Sequence, residues 1–193
     1  QPALIGEGGM ATVFLAEDPR HDRWVAIKVL KPEVATAVGA ERFLREIHIA
    51  AQLHHPHVLG LIDSGQADGL LYYVMPYVAG DTLRERIDRE GALPIPEAVR
   101  LIGEIADALA TLHATGLVLG QVSPADIFPG SPAVLDASLA GLAPKDATPE
   151  GDVKYLAHVL LAAGSGSKDA SPFESALQQA IAQIEQAGSG IVI

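Results

Sequence analysis

Gly6, Gly8 and Gly9 lie within the run Gly6-Glu7-Gly8-Gly9-Met10-Ala11-Thr12-Val13, and the tetrad Val25-Ala26-Ile27-Lys28 follows shortly after. Glycines in a turn between two strands let backbone amides approach an anion, since no Cβ stands in the way. A lysine on the next strand then adds a point charge to the same group. Phosphate binding is the chemistry these residues offer. A glycine run alone reads more readily as a plain hairpin turn; the lysine tetrad at this separation favours the phosphate.

Strands and a helix must hold these residues. Val25 to Leu30 and Leu70 to Val78 are rich in apolar and β-branched residues and bounded by turn formers, which predicts two strands. Between them, Ala40 to Leu53 carries Phe43, Leu44, Ile47, Ala50 and Ala51 at helical spacing. Glu46 falls on the face of Phe43 and Ala50. A carboxylate among apolar neighbours on an inward face needs a cationic partner; a surface pairing with Arg42 or Arg45 is the alternative.

The second half reads as helical. Asp81 caps a short helix ending at Gly91. Pro96 opens a longer one, with Leu101, Ile102, Ile105, Leu109 and Leu112 on one stripe and a stop at Gly116. Asp152 to Ala163, including Leu156, Val159, Leu160 and Leu161, is apolar nearly all round, which predicts a buried helix. Ser171-Pro172-Phe173-Glu174 reads as a capping box for a last helix that turns Phe173, Leu177, Ile181 and Ile184 inward and ends near Gly188. Gly188-Ser189-Gly190 and Ile191-Val192-Ile193 read as a linker and an edge strand, which would let two copies pair.

With 193 residues, 49% of them apolar, the chain can fill one substantial core or one domain of two lobes. No apolar run reaches the roughly 18 residues of a membrane span, and the first residues lack the basic-then-apolar order of a signal peptide, so a soluble protein is expected. A net charge of −11 without a basic cluster opposes binding to nucleic acid or anionic lipid. The absence of cysteine excludes disulfides and thiolate metal sites and suits a cytoplasmic protein.

The chain resembles the bacterial Hanks-type serine/threonine protein kinases. The resemblance is carried by Gly6 to Val13, with Ala11 where a third glycine would stand, Val25 to Lys28, Glu46, Leu53-His54-His55-Pro56-His57-Val58 and Tyr73-Val74-Met75-Pro76-Tyr77-Val78. It implies that Lys28 pairs with Glu46 and that Met75 is a gatekeeper. The Pro76 carbonyl and the Val78 amide would meet an adenine edge. Gly6, Gly8, Val13, Ala26 and Phe128 would complete the nucleotide site, with Phe128 under the base, where it could either stack on the base or fill its place. Proline loses its amide but keeps the carbonyl wanted at position 76. His54, His55 and His57 could suggest a metal, but the resemblance implies packed imidazoles.

The resemblance places a catalytic loop, HRDxxxxN, at Leu117 to Phe128, framed by Pro124 and Ile127. Leu119, Gly120 and Gln121 stand for its His, Arg and Asp. Ser123 replaces the lysine that would neutralise the transferred phosphoryl group, and Asp126 replaces the metal-binding asparagine. A glutamine cannot act as a base near neutral pH, and loss of a positioned base costs ~10²–10⁴-fold. Val134-Leu135-Asp136-Ala137-Ser138 falls where DFG belongs, so Asp136 keeps the metal carboxylate, and Asp126 can bind a hard cation through oxygen. For both aspartates an ordinary turn role is the alternative. Ala137 and Leu119 alter the stack that aligns the lobes, which implies a fixed conformation. The segment from Asp136 to Asp152 is short for one that binds a peptide, and Thr148-Pro149-Glu150 resembles its APE end.

The expectation is an α+β, two-lobed kinase-like fold, with a β-rich N-lobe over 1–77 holding one main helix and a shortened helical C-lobe over 78–193. The function expected is that of a pseudokinase: a regulatory or scaffolding module that binds ATP and Mg²⁺, transfers phosphate poorly or not at all, and works through a protein partner. The alternatives are an atypical active kinase using Asp126 or Asp136 as base, and an interaction module that binds no nucleotide. Ser138, Thr148, Ser165 and Ser167 lie in expected loops, open to modification by another kinase.

Overall fold

The structure, a computed structural model, describes residues 2–120, 122–130, 132–138, 140, 142–143 and 146–164, and the single positions 175, 178, 179 and 182. Of Glu46 and of residues 160–164 it describes the backbone. The chain divides into two compact units, Gln1–Leu53 with Leu59–Ala79, and His54–Val58 with Gly80–Ile193.

In the first unit β1 (Ala3–Glu7), β2 (Ala11–Asp18) and β3 (Arg23–Leu30) are followed by α1 (Pro32–Val38), α2 (Ala40–Ala50), β4 (Asp63–Ala67) and β5 (Leu70–Pro76). The strands form one antiparallel sheet in the order β1-β2-β3-β5-β4. β4, with the sequence Asp-Ser-Gly-Gln-Ala, has no alternation of its own. It exists because Asp68 and Gly69, at φ +50° and +79°, close a two-residue turn that folds it back onto β5. Leu71, Tyr73 and Met75 alternate inward along β5, and α2 lays Phe43 against them, its ring centroid 6.4 Å from that of Tyr73. The helix ends at Ala50, three residues short of the expected Leu53. The amides of Gln52 and Leu53 reach back only to Ile49 and Ala50, a tightened last turn. Leu44, expected among the inward residues, is exposed, one residue round from the buried Phe43.

The second unit holds α3 (Leu83–Glu90), α4 (Ile95–Ala114), a 3₁₀ turn (Pro124–Asp126), the two-residue strands β6 (Ile127–Phe128) and β7 (Val134–Leu135), and α5 (Pro149–Gly164). The stripe of α4 is its core face: Leu101, Ile102, Ile105, Leu109 and Leu112 are all buried. The cap of α3 is Thr82, not the expected Asp81. The Thr82 hydroxyl accepts the Glu85 amide while the Glu85 carboxylate takes the Thr82 amide, and Asp81 pairs with Arg89 instead. Arg86 ties α3 to α4 through a two-pronged bond to Glu97, at 2.6 and 3.0 Å. α5 begins at Pro149, three residues before the expected Asp152, because the Thr148 hydroxyl accepts the Gly151 amide and proline suits a first turn. Nor is α5 buried all round: Leu156 and Val159 face inward while Lys154, Tyr155 and His158 are exposed. Of the last expected helix, positions 175, 178, 179 and 182 are helical, and the capping box and the Gly188–Ile193 stretch lie outside the described residues. Among the described residues no helix is long and apolar enough to cross a membrane.

Candidate functional site

Register assembles the candidates of the first unit. Val13 and Lys28 are cross-strand partners, as are Lys28 and Tyr73; Ala26 partners Leu15 on one side and Met75 on the other. Antiparallel partners point to one side of the sheet, and residues two apart on a strand share it. Val13, Ala26, Lys28 and Met75 therefore lie on one face, the face on which Phe43 packs against Tyr73. Lys28 is 9% exposed, and its Nζ stands 5.8 Å from the Tyr73 ring centroid, within range of a cation–π attraction. The side chain of Glu46, and with it the expected pairing to Lys28, lies outside the described residues.

The glycine run forms the turn from β1 to β2. The Gly8 amide donates to the Ala11 carbonyl at 2.9 Å, and the Lys31 amide donates to Met10 at 3.0 Å. Lys31 Nζ lies 3.5 Å from a Glu7 carboxylate oxygen at the base of this turn. None of Gly6, Gly8 and Gly9 has a positive φ. A Cβ on Gly6 would touch Val13 at 3.7 Å, one on Gly8 the Ala11 carbonyl oxygen at 3.7 Å, and one on Gly9 nothing within 4 Å. The fold itself therefore does not require glycine at these positions. At the far end of the sheet, Pro76 partners Val25 as the last residue of β5, and the Tyr77 amide reaches the Trp24 carbonyl at 3.4 Å.

In the second unit the β6–β7 ribbon brings the remaining candidates together. The Asp136 amide donates to the Asp126 carbonyl at 2.7 Å, next to the pairings of Ile127 with Leu135 and Phe128 with Val134. The two aspartates thus stand side by side at one end of the ribbon, and Phe128 is half-buried within it. Ser123 caps the 3₁₀ turn: its hydroxyl accepts the Ala125 amide, and its own amide and hydroxyl both donate to Asp126 Oδ2. Asp136 is 9% exposed and accepts from the Ser138 amide and hydroxyl. Each aspartate thus holds a serine of a neighbouring turn. Among the described residues no cluster of three or more His, Asp or Glu could hold a metal. Two aspartates joined by a backbone bond offer the oxygen donors that suit Mg²⁺, which keeps several waters and takes one or two carboxylates alongside phosphate oxygens. Gln121 lies outside the described residues.

Sequence reasoning missed a buried carboxylate that organises the same loop. Asp152, in the first turn of α5, has no exposure and accepts three hydrogen bonds: from His113 Nε2 at 2.9 Å, the Leu119 amide at 3.0 Å and the Gly120 amide at 2.7 Å. His113 Nδ1 is buried without a partner among the described residues, so the ring is oriented by Asp152. The signal was available. Asp152 shares the inward stripe of Leu156 and Val159, the pattern that singled out Glu46. His55 and His57 are also held within this unit. His55 Nε2 lies 3.2 Å from Asp107, and His57 Nδ1 donates to the Ala133 carbonyl at 2.9 Å.

The protein kinase domain profile matches residues 1–131. Serine/threonine-protein kinase PrkC of Bacillus subtilis (strain 168) is 41% identical over 126 residues, 65% of this chain and 19% of that protein. The probable serine/threonine-protein kinase pknA2 of Bifidobacterium longum (strain NCC 2705) is 39% identical over 128 residues, 64% of this chain and 17% of that protein. The chain thus spans about a fifth of the length of these curated relatives. Among solved structures, that of Rad53 1-466 in complex with AMP-PNP is similar in fold, with a TM-score of 0.71 at 15% identity, over 96% of this chain and 58% of that one.

Proposed function

The chain belongs to the protein kinase domain family, and from that premise we propose that it is a nucleotide-binding pseudokinase, a regulatory or scaffolding module of the serine/threonine kinase type. The observation that carries this reading is the register that puts Val13, Ala26, Lys28 and Met75 on one sheet face, with Val13 on the strand that follows the glycine turn. In this reading Lys28, paired with Glu46, holds the phosphates of ATP. The amides of the Gly6–Val13 turn cradle them, and Met75, the Pro76 carbonyl, the Val78 amide and Phe128 take the base. Asp136 and Asp126 hold Mg²⁺, which neutralises charge on the phosphates when bound.

Transfer is weak or absent because Gln121 stands where a base is needed and Ser123 where a lysine is needed. The N-lobe spans 1–77 and the C-lobe 78–193. A protein partner, or a second copy, receives the output. A thermal-shift titration tests the binding: MgATP raises the melting temperature of the chain and not that of Lys28→Ala, since a ligand specific to the folded state stabilises it once above its dissociation constant. No shift at millimolar MgATP overturns the nucleotide reading in favour of an interaction module. Lys28-dependent transfer of labelled phosphate to a generic acceptor overturns the pseudokinase reading in favour of an active enzyme.

A further inference from the structure

Each carboxylate assigned above to the cation is already engaged by a serine, and in the same manner. Asp126 Oδ2 accepts the Ser123 amide at 3.0 Å and the Ser123 hydroxyl at 2.8 Å. Asp136 Oδ1 accepts the Ser138 amide at 3.0 Å and the Ser138 hydroxyl as well. A carboxylate oxygen offers two lone pairs, so one serine fills one whole oxygen of each aspartate. Such bonds to an ionised acceptor are among the stronger ones in proteins. The oxygen that holds the serine is then closed to a cation unless the hydroxyl swings away. Gripping either group by both oxygens is closed off.

Both serines stand where the kinase pattern has residues without a hydroxyl, Ser123 at its lysine and Ser138 at its glycine. They also shape their surroundings: Ser123 caps the 3₁₀ turn, and the Ser138 bonds close the turn that follows β7. In each case the bond that fixes the loop is the bond that occupies the carboxylate.

We propose that Ser123 and Ser138 are positioning residues that compete with the divalent cation for Asp126 and Asp136, so that the chain takes a nucleoside triphosphate with little help from the metal. The metal-sparing clause rests on the nucleotide reading; the competition does not. The test uses the full chain, Ser138→Ala, the Ser123→Ala/Ser138→Ala pair, which removes hydroxyls and keeps amides, and Ser138→Thr, which keeps a hydroxyl. Calorimetric titration with ATP in EDTA and in excess Mg²⁺ gives the metal dependence. Titration with Mn²⁺ alone, read by electron paramagnetic resonance, gives cation affinity without nucleotide.

The expected result is that Mg²⁺ changes wild-type ATP affinity less than ~3-fold but tightens it ~10-fold in the alanine variants, one decade being of the order of one hydrogen bond. Ser138→Thr behaves as wild type, and Mn²⁺ binds the alanine variants more tightly. An equal metal dependence in wild type and alanine variants overturns the proposal. So does weaker Mn²⁺ binding in those variants, which would make a hydroxyl a ligand. If no protein binds ATP, the nucleotide reading falls and the Mn²⁺ arm alone decides the competition. Ser138→Ala stands in for the pair if the pair does not fold.

Discussion

Gly8→Ala separates what the glycine turn does for the chain from what it does for a ligand. The new methyl would sit 3.7 Å from the Ala11 carbonyl oxygen, an ordinary contact, and Gly8 has no positive φ to strain. Alanine at such a position stabilises by ~0.4–1 kcal/mol, because it narrows the unfolded ensemble. In a chain of this size that is a rise in melting temperature of ~1–4 °C. If phosphate oxygens approach the Gly8 backbone, the same methyl intrudes on them, and overpacking by one methyl costs ~1–3 kcal/mol. ATP affinity should then fall ~5- to ~150-fold. Thermal denaturation without ligand and calorimetric titration with MgATP measure the two effects separately. Gly69→Ala is the control. Its φ of +79° in the β4–β5 turn makes any side chain costly, by ~1 kcal/mol or more, with no loss of ATP affinity per folded molecule. A Gly8→Ala protein that melts lower would show that the turn needs its glycine for folding. One that melts higher and binds ATP as before would refute the phosphate role of the turn.

Asp152→Ala should cost ~3–5 kcal/mol, as expected for breaking a buried charged network. It strands the Leu119 and Gly120 amides and removes the His113 bond. Asp152→Asn keeps an acceptor for the amides and should cost less, and denaturant unfolding ranks the two; equal and small losses would refute the network. The Arg86 fork holds the Glu97 carboxyl below its ordinary value of 4.5. A lowered folded value means stability that is present above 4.5 and lost as pH falls through the lowered value. Glu97→Gln should therefore unfold at lower urea than wild type near neutral pH, with the gap closing on acidification; a gap independent of pH would show that the pair acts through packing alone.

Much of the fold could be read because periodicity and burial agree. β3, β5 and the α4 stripe follow from apolar spacing, and the end of α3 and the start of α4 from Gly91 and Pro96 chemistry, whereas the α3 cap expected at Asp81 falls on its neighbour Thr82. Only the reciprocal bond to Glu85 decides between them. β4 escaped because its strand character comes from the Asp68-Gly69 turn and from β5, not from its own residues. The start of α5 escaped because Thr148-Pro149 resembles the end of a kinase loop while also being a good helix start. For the candidate site, the sheet-face residues follow from strand alternation once the register is known. The serine bonds to Asp126 and Asp136 do not, because they depend on turn geometry that spacing does not specify.

Asp152 anchors the loop that carries Leu119 and Gly120. The carboxylate is fully buried and meets two backbone amides. Those amides belong to the main chain, so they need an acceptor whatever side chains Leu119 and Gly120 carry. Removing that acceptor should destabilise the fold, whereas exchanging a reactive side chain leaves these backbone bonds in place. Catalytic groups are held at a cost in desolvation or strain, and exchanging them commonly gains stability. Ser123 has a folding role in the same loop: it caps the Pro124–Asp126 turn and fills an oxygen of Asp126. Asp152 thus meets a folding demand alone, whereas Asp126 meets two at once, since the oxygen that closes the 3₁₀ turn belongs to the carboxylate proposed for the cation.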